Sequence, residues 1–299
     1  MPSLVLIAVA GFFAQFVDGA LGMGYGLTSS TLLIAVGLTP ALASASVHLA
    51  ELGTTAVSGI AHQRFGNVDW PTVRRIAIPG AIGAFAGATF LSSISTAAAK
   101  PIAGGLLFVL GVYVLLRFLI GRAPKRKPGT PGIKMLLPLG MVGGFVDATG
   151  GGGWGPVTTP TLLADGRLAP NRVIGTVNAS EFLVALAASV GFIIGLGTAG
   201  IDFGIVLALL AGGVIAAPIA AWVVRRLNAR ILGVVVGGFI CFTNARLILG
   251  AAGASSEVAW AAYGVIVAVW VSAVIWVVRI VRRGPAAASA PELQVADAH

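Results

Sequence analysis

The sequence predicts an all-α, polytopic membrane bundle made of two inverted-topology repeats, each opening on a broken or re-entrant segment. Three observations predict it. The 299 residues are 57% hydrophobic and only 10% charged, whereas a soluble domain is about one-quarter charged; lipid must replace water around most of the chain. The apolar stretches are continuous rather than alternating, which argues against a transmembrane barrel. The first half of the chain also recurs in the second, with its basic loops exchanged.

A membrane helix needs about 20 apolar residues. Uncharged runs of that order are Ile76–Ala99, Phe203–Val224 and Val258–Val278. Shorter or once-interrupted runs are Leu4–Val17, Leu27–Ala50, Pro101–Leu116, Met135–Val146, Val173–Ile201 and Ile231–Leu249. These divide the chain into a first repeat (4–121), a basic linker (122–134), a second repeat (135–250), an added final span (257–281) and a polar, Ala/Pro-rich tail (284–299) expected to be disordered.

The net charge of +9 does not point to nucleic acid. Lys and Arg gather in short clusters between apolar runs: Arg64 to Arg75, Arg122 to Lys134, Arg225 to Arg230 and Arg279 to Arg283. Under the positive-inside rule these are cytoplasmic loops, so a multi-pass protein of a bacterial inner membrane is expected, with the lipid bilayer as its surroundings. The lone cysteine, Cys241, excludes an internal disulfide and a cysteine-rich metal site. No cofactor, metal or removable signal peptide is expected; a homodimer stays open.

The repeat is read directly. Phe16-Val17-Asp18, leading into Gly22-Met23-Gly24-Tyr25-Gly26, matches Phe145-Val146-Asp147, leading into Gly151-Gly152-Gly153-Trp154-Gly155, 129 positions on. After a one-residue slip Pro40 matches Pro170 and Glu51 matches Glu181; near the ends Arg117 matches Arg246. The basic loop Arg64–Arg75 corresponds to Gly197–Asp202, which has no Lys or Arg, and the basic loop Arg225–Arg230 corresponds to Ser93–Lys100, which has a single Lys. Equivalent loops with exchanged charge imply halves of opposite orientation, a construction common in secondary transporters.

Each half opens on an apolar run broken by glycines, each costing about 1 kcal/mol in a helix relative to Ala. Pro156 and Pro160 add to the second break. Irregular backbone at membrane depth is tolerated where it is buried in protein or lines a polar cavity. The helix resuming after such a break presents free N–H groups and a positive dipole end, which suit an anion. Gly22, Gly24, Gly26, Gly151 and Gly153 are therefore candidate binding positions, with Thr28, Ser29, Ser30, Thr158 and Thr159 as hydroxyl donors just beyond. The competing reading is that the glycines merely permit close helix packing. Tyr25 and Trp154 occupy equivalent places and either wall a substrate cavity or pack.

Asp18, Glu51, Asp147 and Glu181 lie within apolar stretches and form two repeat pairs. A charge at the bilayer centre costs at least about 2.5 kcal/mol on insertion scales, so such residues usually face the bundle interior. They are either proton carriers or structural acceptors. The aspartates read first as structural, since each precedes a break whose N–H groups need acceptors; the glutamates read first as functional. His48 shares a helical face with Glu51 and is either a proton-handling group, as an imidazole allows, or a satisfied polar contact, while Asn178, which does not titrate, stands in its place in the second half. Arg246 points toward the outer face, against the positive-inside trend, and is a candidate anion-binding charge beside Asn244. Trp260, Trp270 and Trp276 read as belt or packing residues of the last span.

Together the two-fold repeat, the Asp18 and Asp147 glycine clusters and the Thr176-Val177-Asn178 to Glu181 segment resemble the sulfite exporter TauE/SafE family, also called the 4-toluene sulfonate uptake permease family. The resemblance covers roughly residues 4–280. It implies a secondary transporter of small sulfur-containing anions (sulfite, sulfoacetate or other organosulfonates), working as an exporter by alternating access. An anion channel of the same architecture is the alternative. No G-x-x-x-x-G-K-[ST] sequence is present, so no P-loop hydrolysis is expected, and no catalytic residues are assigned.

Overall fold

A computed structural model describes residues 3–21, 23–120, 129–198, 201–223 and 229–283. Gly22, most of the linker, Arg225, Arg226 and the tail lie outside the described residues, so the expectations placed on them do too. Among the described residues every regular element is a helix: α1 Leu4–Leu21, α2 Tyr25–Ala35, α3 Pro40–Arg64, α4 Trp70–Ser93, α5 Thr96–Ile120, α6 Ile133–Gly150, α7 Trp154–Asp165, α8 Pro170–Leu196, α9 Phe203–Val223, α10 Ala229–Ala251 and α11 Ser256–Arg283. Among the described residues five stretches are long and apolar enough to cross a membrane: Trp70–Ser93, Thr96–Ile120, Arg172–Leu196, Arg230–Ala251 and Ser256–Arg282. Large apolar side chains such as Val5, Phe13, Leu207 and Val265 project outward, a surface suited to lipid and not to water.

Two of the expected runs are divided differently. Ile76–Ala99 is not one helix: α4 ends at Ser93 and α5 begins at Thr96. The start of α4 lies upstream of the uncharged run, because the Asp69 carboxylate accepts from Thr72 N at 3.1 Å and caps the helix there, placing Arg74 and Arg75 inside it. Leu27–Ala50 is split between α2 and α3 by a turn with Gly37 at φ 106° just before Pro40.

Glycine contacts give the helix directions. Gly140 packs on Ile76 and Pro79, Gly83 on Met141, and Gly87 on Phe145, so α4 and α6 run parallel. Gly11 packs on Leu209, Gly212 on Ala8 and Phe12, and Gly213 on Gln15, so α1 and α9 run parallel as well. Thus the first helix of each half lies against the fourth of the other. By contrast, α5 and α10 are antiparallel: Gly104 packs on Leu247, Gly111 on Ile240, Gly237 on Leu115 and Gly233 on Phe118. Helices α3 and α8 are antiparallel too, with His48 against the Phe192 ring near one end and Ser58 Oγ donating to Asn178 Oδ1 at 3.0 Å near the other.

These directions make each broken segment a hairpin. Helices α2 and α7 have 11 and 12 residues, about 16–18 Å at 1.5 Å per residue, against a hydrocarbon core of about 30 Å. Helix α1 enters beside the start of α9, where Leu4 meets Gly204, and α2 returns toward the same end, beside the C-terminal part of α10 (Asn244 to Thr31, 3.0 Å). Helix α6 enters from the opposite end, beside the start of α4, and α7 returns there to lead into α8. That second end carries Arg64, Arg74, Arg75, Lys134, Arg172 and Arg230; the first carries Lys100 and Arg246.

Candidate functional site

The two hairpin tips meet in the middle of the bundle. Gly24 (φ 118°) ends the first break, and Gly151 (φ 76°) and Gly152 (φ 150°) shape the second; these left-handed conformations favour glycine. The backbones touch: a Cβ on Gly26 would lie 2.8 Å from Gly152 Cα and 2.9 Å from Glu51 Oε1, and one on Gly155 would lie 3.0 Å from Met23 Cβ. The Ser30 hydroxyl donates to Gly151 O, and Ser44 Oγ donates to Ala148 O at 2.6 Å. Each tip is thus tied to the other half. Ser30 is among the hydroxyl donors expected beyond the first break; Ser44 is not singled out by the sequence, although it lies one turn before His48.

The aspartates sit at the resumed helices. Asp147 Oδ1 accepts from Gly153 N at 2.6 Å and from Trp154 N at 2.9 Å, capping α7. Asp18 Oδ1 accepts from Tyr25 N at 3.3 Å, the equivalent bond at α2. The positive end of each half-helix therefore already faces a side-chain carboxylate of the chain.

The other oxygen of Asp147 meets His48 Nε2 at 3.1 Å, with both side chains at most 1% exposed. His48 Nδ1 lies 2.8 Å from Ser44 O. A carbonyl oxygen only accepts, so Nδ1 carries a hydrogen. The Nε2 to Oδ2 line must then hold one further proton, on either the ring or the carboxyl. In the second half Asn178 takes the place of His48; its Nδ2 donates to Ile174 O at 3.1 Å and its Oδ1 accepts from Ser58.

Glu51 is buried at 2% exposure, with Oε1 against the first turn of α2 and Oε2 without a hydrogen-bond partner. Glu181 is partly buried and, like Asp18 and Asp147, close enough for its charge to act on Glu51. The hydroxyls beyond the breaks divide into two sets. Thr158 Oγ1 donates to Trp154 O at 2.5 Å. Thr28 Oγ1, Thr159 Oγ1 and Ser29 Oγ (beside the Tyr25 hydroxyl) are buried without a hydrogen-bond partner of normal geometry. Buried polar groups are nearly always satisfied, so these hydroxyls on α2 and α7 and the Glu51 oxygen on α3 are exceptions to the rule.

Tyr25 and Trp154 are buried and equivalently packed. Tyr25 lies against Gly213 and reaches Leu209 O at 3.5 Å. Trp154 lies against Gly80, and its Nε1 donates to Val177 O at 3.2 Å. Arg246 is not brought to the tips. With Asn244 and Lys100 it lines a cavity of about 960 Å³ near the end where α2 returns. Among the described residues no cluster of His, Cys, Asp or Glu could hold a metal ion.

The family described as sulfite exporter TauE/SafE matches residues 7–247. A protein of Bacillus subtilis (strain 168) described as "Probable membrane transporter protein YtnM" is 50% identical over 279 residues, which is 93% of this chain and 93% of that protein. No solved structure matches the chain.

Proposed function

The chain belongs to the sulfite exporter TauE/SafE family and is a multi-pass membrane transporter; from that premise we propose that it carries small sulfur-containing anions, such as sulfite, sulfoacetate or other organosulfonates, across the bacterial plasma membrane by alternating access. The carrying observation is the contact between two opposed hairpin tips with orphan hydroxyls on both sides, Thr28 and Ser29 in one half and Thr159 in the other. A sulfite or sulfonate group is rich in acceptors and would take up those donors.

The antiparallel packing of α5 on α10 and of α3 on α8 supports two inverted repeats, at 4–121 and 135–250, related about an axis in the membrane plane. The end bearing Arg64, Arg74, Arg75 and Arg230 is then cytoplasmic. Rocking of one half against the other would part the tips on alternate sides. Because the tips touch, a carrier is favoured over the channel of the same architecture, which needs a continuous open path.

Charge sets a condition on binding. The centre holds four carboxyls (Asp18, Glu51, Asp147, Glu181) and one imidazole (His48). Fully ionised carboxyls would repel an anion at short range in a low dielectric. An anion therefore enters accompanied by protons, and the anion and proton gradients together set the direction of transport. The export reading rests on the family description.

Uptake of labelled sulfite and sulfoacetate into proteoliposomes tests the proposal, with sulfate and taurine as comparisons. Saturable flux of sulfite or sulfoacetate is expected; flux without saturation would favour the channel, and no flux of any of the four would overturn the substrate class.

A further inference from the structure

The cavity that holds Arg246 lies apart from the tip contact and has its own chemistry. It is lined by the second half of α2 (Thr31, Ile34), the start of α5 (Lys100), the end of α10 (Asn244, Arg246) and the start of α11 (Trp260, Tyr263), with a volume of about 960 Å³. Lys100 and Arg246 are both exposed. Among the described residues no hydrogen bond or ion pair engages either of them, whereas Arg230 at the basic end donates to Phe118 O at 3.0 Å and to Leu119 O at 2.6 Å. None of the lining residues is acidic. Glu257 lies one turn before Trp260 on α11, and Asp202 at the same end has its Oδ1 engaged by Gly204 N at 2.8 Å.

The side wall is aromatic: Phe242 and Tyr263 stack at 5.5 Å, and Trp260 meets Tyr263 edge-on at 6.1 Å. The inner wall is polar. Asn244, 1% exposed, donates to Thr31 Oγ1 at 3.0 Å and to Ile240 O at 2.9 Å. Thr31 lies three residues beyond Thr28 and so shares its helical face, and the buried Thr28 hydroxyl has no partner. Hydroxyls thus lead along α2 from the cavity toward the tip contact.

We propose that Lys100 and Arg246 form a second anion-binding site, an entry or release vestibule at the end opposite the basic loops, for organic sulfonates. The head group lies at the two cations, where a guanidinium offers two parallel donors to an oxyanion, and the organic body lies against Phe242, Trp260 and Tyr263. Breaking the Asn244 to Thr31 contact would admit the anion to the tips. This site rests on the anion-carrier reading and extends it.

The test uses the full chain in proteoliposomes of known orientation, with sulfoacetate and sulfite as probes. The double variant Lys100→Gln/Arg246→Gln alters two exposed side chains, and its fold is checked by thermal melting. Expected is a KM for sulfoacetate raised about tenfold or more from the Lys100 side with kcat unchanged in that direction, the KM from the other side unchanged and only kcat in that direction reduced, and recovery toward wild type in Arg246→Lys on the Lys100 background. Trp260→Ala is expected to raise the KM for sulfoacetate more than that for sulfite. An unchanged KM in the double variant, or a KM raised equally from both sides, overturns the vestibule while the carrier stands. Absence of wild-type flux for both anions overturns the carrier reading itself.

Discussion

His48 on α3 of the first half and Asp147 on α6 of the second meet at 3.1 Å, Nε2 to Oδ2, both out of contact with solvent. The pair bridges the two halves at a hairpin tip, and the same aspartate caps the helix that resumes after the second break. The equivalent place in the other half holds Asn178, whose amide is engaged by Ser58 and Ile174. The pseudo-symmetric centre is therefore chemically one-sided: a proton can be held between the halves at one tip and not at the other. Removing one partner would leave the other buried polar group without this hydrogen bond, at about 1–3 kcal/mol, so the contact also helps to hold the tips together.

His48→Asn copies the second half's residue and removes the imidazole. Proteoliposome flux of sulfoacetate, which stays fully ionised throughout, is expected to rise in the wild type as pH falls from about 8 to about 6, because protons accompany the anion. The variant's flux should be flat across that range. A wild-type profile already flat, or a variant profile as steep as the wild type's, would remove His48 from proton handling.

Thr28→Val and Thr159→Val delete hydroxyls that have no partner in the protein. Removing an unsatisfied buried group of this kind is nearly neutral, within about 1 kcal/mol, or stabilising. Melting temperatures should therefore hold or rise while sulfite flux falls about tenfold. Thr158→Val is the contrast, because its hydroxyl already bonds Trp154 O; its flux should change little. Wild-type flux in both orphan-hydroxyl variants would place the solute elsewhere.

Local chemistry made much of this legible. The recurrence of an aspartate before a glycine cluster predicts two equivalent breaks, and the structure has them, with α1 and α6 both ending just before the glycines. What hydropathy did not reveal was set by single hydrogen bonds and by long-range pairing. The start of α4 depends on the Asp69 cap, which a run of apolar residues cannot register. From the sequence His48 could be related only to Glu51, on its own helical face; its partner in space is 99 residues away. Lys100 carried no local signal, because its significance comes from α10 and α11 closing a cavity around it.

Trp154 and Tyr25 separate packing from binding. Trp154 is fully buried against Gly80 of α4 and bonded to Val177 O. Its replacement by Ala should destabilise by about 3–5 kcal/mol, the usual cost of emptying so large a site. Trp154→Phe keeps most of the volume and loses the indole N–H bond to Val177 O, which still accepts from Ser180 Oγ, so the cost should be about 0.5–1.5 kcal/mol. Tyr25→Phe should be milder, since its hydroxyl reaches Leu209 O only at 3.5 Å. Chemical denaturation in detergent orders the three; a Tyr25→Phe variant as unstable as Trp154→Ala would refute the equivalence drawn from their matching places.

Gly152→Ala tests the tip contact itself. The new Cβ would run into Leu27 N and Gly26 C, both backbone atoms of the opposing hairpin, at φ 150° where an L-residue is strained. No rotamer change can relieve such a clash, so the hairpins must move apart. Overpacking of this kind costs about 1–3 kcal/mol, and at this position it also separates the tips, so sulfite flux should fall far more than stability does. Gly105→Ala on α5, where a Cβ meets no neighbouring atom within 4 Å, supplies the control and should match wild type in both measurements. A Gly152→Ala protein that melts and transports like Gly105→Ala would mean that the tips need not touch, and the occluded centre would lose its functional meaning.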